Sequence, residues 1–241
     1  MIKAIPSKYK FSCRPHCNVL KPTQFAGLPK DPVDAQETFR PLYSSKYHNS
    51  DHKVQILDVG CGYGALLPKL SVSFPEQLIM GIEIRLPVSL YVDELINQMR
   101  EQEDICHNVA VYRANFMKHA SRLFFKNQLS KIFILYPDPN VKKGAFRRRI
   151  LNSFLLTEYA FVLKPGGFLY LACDLEDTFR YGMQQMETHT LFERVPEADL
   201  VNDPVYWSLN EVTADAKRAV RKGSGAFKVV FKRVEKLQPT F

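Results

Sequence analysis

From residue 54 onward the chain alternates short apolar runs with segments whose apolar residues recur every three or four positions. The first kind reads as strands buried in a parallel sheet, the second as amphipathic helices. The pattern predicts strands over 54–59, 78–82, 109–113, 131–136 and 168–172. It predicts helices over 87–100, 117–125, 148–163 and 176–189, and Leu66, Leu67 and Leu70 mark one more turn of helical spacing after the first strand. Strands alternating with helices in this way build a doubly wound parallel α/β sheet. Residues 227–233 alternate less cleanly and are expected to close the sheet as an edge strand. Residues 1–50 are rich in proline and aperiodic, and read as an arm with little regular structure ahead of a folded domain over 51–241.

The first strand runs into Asp58-Val59-Gly60-Cys61-Gly62-Tyr63-Gly64, and a helix follows. Glycine suits such a turn because a Cβ would forbid the backbone angles and keep a ligand off the bare backbone. Gly60-x-Gly62-x-x-Ala65 also fits the looser dinucleotide pattern, so an NAD-dependent enzyme remains a second reading of the turn alone. Two further features bear on the cofactor. Glu83 closes the second strand about 20 residues past the turn, where a carboxylate accepts hydrogen bonds from a ribose diol. Leu163-Lys164-Pro165-Gly166-Gly167-Phe168 reads as a helix end, a turn and a late strand. Together these features resemble class I S-adenosylmethionine-dependent methyltransferases, which have a Rossmann-like doubly wound sheet.

Ligands of such sheets bind beyond the carboxyl ends of the strands. Gly60, Glu83, Asn115 and the Leu135-Tyr136-Pro137-Asp138-Pro139 loop therefore converge on one crevice. Asn115 has two readings, a contact to an adenine edge or the N-cap of the following helix.

Charge adds a partner. The formal net charge is +8, and residues 1–50, 140–150 and 211–241 each carry net +5, leaving −7 on the remainder. Basic blocks on an otherwise acidic chain are the footprint of a polyanion, although solvated basic faces are the plainer alternative. No run approaches the roughly 18 apolar residues of a membrane helix, and no secretory core follows the N-terminus, so no membrane partner is expected. Five cysteines without framework spacing fit a reducing compartment. Cys13-Arg14-Pro15-His16-Cys17 lacks the second pair that a structural zinc site needs, and no metal is expected.

Asp138 stands between two prolines, which stiffen the loop around it. Lys142, Lys143, Arg147, Arg148 and Arg149 follow and are expected to open a helix, where their charge opposes the dipole. A phosphate backbone crossing the crevice accounts for that choice. A carboxylate beside such a path can hold a guanine by its N1–H and N2–H₂ donors. Guanine N7 carries a lone pair and no proton, so its methylation needs no general base, only alignment and compensation of the positive ring.

The runs 56–64 and 81–85, Asn115-Phe116-Met117-Lys118-His119, Phe124-Phe125-Lys126-Asn127-Gln128-Leu129, Tyr136-Pro137-Asp138-Pro139 and Leu191-Phe192-Glu193-Arg194-Val195-Pro196 resemble the eukaryotic tRNA (guanine-N7-)-methyltransferase family. Arg14-Pro15-His16-Cys17-Asn18 is similar to that family's Arg-x-His-x-Asn arm. The resemblance covers nearly the whole chain. It implies that Gly60, Glu83, Arg85, Asn115, Phe116 and Leu135 line the S-adenosylmethionine site, that Thr213 and Asp215 close over its methionine end, and that Asp138 is catalytic. It further implies methyl transfer to guanine 46 of the tRNA variable loop, a non-catalytic WD-repeat partner subunit, and work in the nucleus with the cytoplasm as a second compartment. Two departures stand out: Asn140-Val141 where the family has His or Trp and then an aromatic or His, and Thr213-Ala214-Asp215 where it has Thr-x-x-Glu or Thr-Glu-Glu. The rival from another class is a catalytically weak or inactive RNA-binding subunit on the same fold.

Overall fold

In the computed structural model, residues 7–11, 13, 14, 17–20, 25, 27–47, 52–140, 143–221 and 227–235 are described. A helix α1 (Pro32–Phe39) precedes the sheet. Then follow β1 (Val54–Val59), α2 (Leu67–Ser73), β2 (Leu78–Glu83), α3 (Leu86–Gln102), β3 (Val109–Arg113), α4 (Phe116–Leu123) and β4 (Leu129–Leu135). The chain continues through α5 (Ser153–Val162), β5 (Leu163–Cys173), α6 (Glu176–Glu187), β6 (Phe192–Arg194), α7 (Ala214–Arg221) and β7 (Phe227–Arg233).

The strand order is β3-β2-β1-β4-β5-β7-β6. Pairings among the first five strands are parallel, and β7 runs antiparallel to both β5 and β6. Successive side chains of a strand point to opposite faces, and here they feed two cores. Leu57, Val59, Ile132 and Ile134 pack with α1, α4 and α5 on one face. Ile56 and Phe133 pack with Leu67, Leu70, Val92 and Ile96 of α2 and α3 on the other. Phe133 and Tyr170 stack across β4 and β5 with ring centroids 4.4 Å apart.

Three expectations need correction. The segment 227–233 is not an edge: β6, too short to show a sequence period, pairs outside it. The expected helix over 148–163 is a 3₁₀ turn, Lys143–Arg148, followed by α5, which begins at Ser153. Asn152 caps it, its Oδ1 accepting from the Leu155 N–H at 3.0 Å, so the basic run lies ahead of the helix and does not oppose its dipole. Finally, the arm contains regular structure. Asp31 caps α1 by accepting from the Val33 and Asp34 amides, and Ala35 and Phe39 are buried in the core beside α4. Pro32 starts the helix at a position where its missing N–H costs nothing.

Among the described residues no helix is long and apolar enough to cross a membrane.

Candidate active site

The turn after β1 is built on three glycines at positive φ: Gly60 at +72°, Gly62 at +54° and Gly64 at +71°. The Gly60 and Cys61 amides both donate to the Ile82 carbonyl, at 2.8 and 3.0 Å, fastening the turn to β2. A Cβ on Gly60 would meet nothing within 4 Å, whereas one on Gly64 would stand 2.8 Å from Val92 Cγ1. The first glycine faces open space and the third faces the protein's own packing.

Glu83 ends β2 with 3% of its surface exposed. Its Oε1 accepts from the Arg85 amide at 2.8 Å and from Arg85 Nε at 3.0 Å, and its Oε2 accepts from Arg85 Nη2 at 3.0 Å. Hydrogen bonding to Glu83 raises the Arg85 guanidinium above its ordinary range, so the cation persists at any physiological pH. Asp58, at the end of β1, is equally buried. Burial first, and the Glu83 charge second, push its carboxyl up to about 7. The sequence marks this acid ahead of the glycines, yet its place beside Glu83 emerges only from the parallel pairing of β1 with β2.

At the end of β3, Asn115 is buried, and its side chain does not cap α4. Its Nδ2 donates instead to the Val19 carbonyl of the arm at 2.7 Å. Phe116 turns away from the crevice: its ring stacks on Tyr159 in the core, with centroids 5.1 Å apart and planes 8° from parallel. Any part it plays in binding falls to its backbone.

The arm crosses the strand ends. Phe11 meets Tyr91 edge-on at 5.7 Å, and Lys8 Nζ lies 5.0 Å from the Tyr63 ring centre. Lys118 Nζ donates to the Leu20 carbonyl at 3.2 Å. Burial raises the Cys17 thiol, and the Glu83 and Asp138 carboxylates add to the shift. All five cysteines are free, and no cluster of three metal-ligating side chains occurs among the described residues. His16 of the arm motif lies outside the described residues.

Leu135 ends β4 against the α2–α3 core. The loop beyond it begins and ends at positive φ on residues other than glycine, Tyr136 at +51° and Asn140 at +43°. Between them sit Pro137, Asp138 and Pro139. The Tyr136 amide donates to the Ala172 carbonyl at 2.7 Å, and its hydroxyl to the Leu209 carbonyl at 3.2 Å. Asn140 Nδ2 reaches the Asp138 carbonyl at 3.2 Å and the Arg148 carbonyl at 3.4 Å. Arg149 Nε donates to the Pro139 carbonyl at 3.1 Å.

The basic residues do not share one environment. Arg147 is exposed, whereas Arg148 and Arg149 are half-buried. Lys142 lies outside the described residues, as do the side chains of Lys143 and Asp215. Thr213 caps α7, its Oγ1 accepting from the Ala216 amide at 3.0 Å. The Tyr136–Leu209 bond links the segment ahead of Thr213 to the end of β4.

A family model described as "Putative methyltransferase" matches residues 52–229. The chain is 41% identical over 233 residues to the tRNA (guanine-N(7)-)-methyltransferase of Bombyx mori, spanning 96% of this chain and 97% of that one. It is 39% identical over 209 residues to the protein of the same name from Homo sapiens, spanning 83% and 76%. Among solved structures, an S-adenosylmethionine-dependent O-methyltransferase from Thermotoga maritima superposes with a TM-score of 0.50 at 15% identity, over 91% of this chain and 70% of that one. That likeness is one of fold.

Proposed function

The chain belongs to the tRNA (guanine-N7-)-methyltransferase family, and we propose that its target is guanine 46 in the variable loop of tRNA. It is an S-adenosylmethionine-dependent enzyme that methylates N7 of guanine in tRNA. The observation that carries the reading is topological. The strand order reverses between the parallel neighbours β1 and β4, so the open glycine turn and the Asp138 loop stand side by side at the switch point.

The residues present fit the cofactor. Gly60 leaves a floor with nothing within 4 Å of a Cβ, and Glu83 offers a buried carboxylate at the position of a ribose diol. Arg85 orients that carboxylate by its three hydrogen bonds. Leu135, Thr213 and Asp215 would complete the wall, and Asn115 would take part once its amide is released from Val19. S-adenosylmethionine supplies the electrophilic methyl group.

The work left to the chain is to hold the guanine and offset its charge. N7 loses no proton on methylation, so no general base is required. Asp138 accepts from guanine N1–H and N2–H₂ and counters the positive charge that develops on the ring. Lys142, Lys143, Arg147 and Arg148 meet the phosphate backbone, which positions the tRNA without reading its sequence.

A WD-repeat subunit is the proposed partner, supported by the family resemblance of the run 118–131. The basic run 142–149 supports a nuclear location, which imaging of the tagged full chain would check. Methyl transfer to bulk unmodified tRNA, with the product nucleoside identified and mapped, tests the central reading. 7-Methylguanosine in the variable loop is expected. Cofactor binding without product would favour the non-catalytic RNA-binding alternative. Co-purification with a WD-repeat protein that raises activity is expected, and full activity of the isolated chain with no gain from such a subunit would remove the partner.

A further inference from the structure

Arg147 and Arg149 are two residues apart in one basic run, and the structure gives them opposite surroundings. Arg147 projects into solvent. The Arg149 guanidinium lies over two aromatic rings, 4.0 Å from the centre of Phe146 and 4.1 Å from that of Tyr181 on α6. Its Nε is at the same time committed to the Pro139 carbonyl at 3.1 Å. The cation is thus in contact with two rings, and one donor is bonded to the loop that carries Asp138.

We propose that Arg149 is a positioning residue for methyl transfer rather than a phosphate contact, fixing the Asp138 loop through the Pro139 carbonyl. The inference rests on the function proposed above. A planar guanidinium can stack on two rings and still donate in its own plane, which an ammonium cannot do. Asn140 closes the other side by donating to the Asp138 and Arg148 carbonyls. The two consecutive carbonyls of Asp138 and Pro139 are thus both held by side chains, and the direction of the Asp138 side chain is set by them. Prolines alone would stiffen the loop without aiming it. The contacts of Arg149 with Phe146 and Tyr181 tie its aim to α6, an element of the folded core that has no other part in the chemistry.

Arg149→Lys keeps the charge and removes the stacked plane. It should leave KM for tRNA and its salt dependence near those of the wild type and lower kcat by on the order of 10-fold or more, as small misplacements of a reacting group do. Tyr181→Leu should lower kcat in the same direction with Arg149 untouched. The double variant should lose little beyond the larger single effect, because both act through one contact. Arg147→Ala should show the opposite split, a raised KM and a flatter salt dependence. Wild-type kcat in Arg149→Lys, or a raised KM with a flatter salt dependence, would return Arg149 to the phosphate contacts. Should Arg149→Lys fail to fold, wild-type kcat in Tyr181→Leu overturns the inference by itself. Wild-type protein assayed in parallel keeps the two claims apart: no 7-methylguanosine from it sinks the function, whereas normal product from it and from both variants sinks only the positioning role.

Discussion

Arg85 holds Glu83 by three hydrogen bonds, one from its backbone and two from its guanidinium, all between 2.8 and 3.0 Å. The pair spans only two residues because β2 ends at Glu83 and α3 begins just past Arg85. The three bonds fix the direction of a carboxylate that is buried at the end of β2.

Glu83→Ala should therefore weaken S-adenosylmethionine binding by about 1–3 kcal/mol, the worth of charged hydrogen bonds to the ligand. Titration calorimetry with the cofactor alone measures it, and unchanged affinity would take Glu83 out of the site.

The glycine turn separates two effects. Gly60→Ala meets open space, so its folding cost should be about 1–2 kcal/mol, that of placing a Cβ at positive φ, while its methyl group enters the crevice and lowers cofactor affinity. Gly64→Ala adds a collision 2.8 Å from Val92 Cγ1 to the same backbone strain. It should melt clearly lower than Gly60→Ala. Equal melting temperatures for the two variants would contradict this division.

Asp138→Ala should leave tRNA affinity nearly intact and reduce turnover by on the order of 10²-fold or more, as removal of a preorganised charge-stabilising group does. Arg147→Ala should weaken tRNA binding and flatten its salt dependence by about one slope unit for the lost phosphate contact. Filter binding at two salt concentrations, alongside single-turnover methylation, resolves both. Normal methylation by Asp138→Ala would reduce the Pro-Asp-Pro segment to an ordinary turn.

Asp58 gives a pH signature. Its folded-state carboxyl titrates near 7, above its unfolded value of 3.8. Between those values the folded state binds the extra proton, so stability from this group falls as pH rises from about 4 to 7 and is flat above. The span corresponds to a few kcal/mol, at about 1.4 kcal/mol per unit. Asp58→Asn removes the titration, so the difference between its denaturation curve and that of the wild type should shrink or change sign across this window. A pH-independent difference would show that Asp58 is charged in the fold.

The five parallel strands and the crevice at their ends are legible in the sequence because each strand is a continuous apolar run and the turn is marked by glycine. What escapes is set by contacts distant along the chain. β6 is three residues long, below any detectable period, and only its pairing makes β7 an interior strand. The start of α1 carries a visible signal, Asp31 followed by Pro32, hidden among the prolines around it. Asn152 likewise marks the start of α5, but the arginines before it suggest a longer helix. That Arg149 faces inward could not be read locally, since Tyr181 lies on the far side of β5 in the chain. The crossing of the arm over the strand ends, and the Asn115–Val19 bond that results, depend on contacts across 96 positions.

The two margins of the sheet limit how this protein can associate. At one end β6 offers only Phe192–Arg194, and both Glu193 and Arg194 carry their charges into solvent. At the other, Arg100 Nη2 already donates to the Val109 carbonyl of β3 at 2.6 Å. Short, charged or occupied margins are poor templates for another chain's backbone and guard against fibrous aggregation. Among the described residues, extension of the sheet by another chain is thereby disfavoured at both margins, and helix faces and loops are the surfaces whose side chains can be specific to one partner.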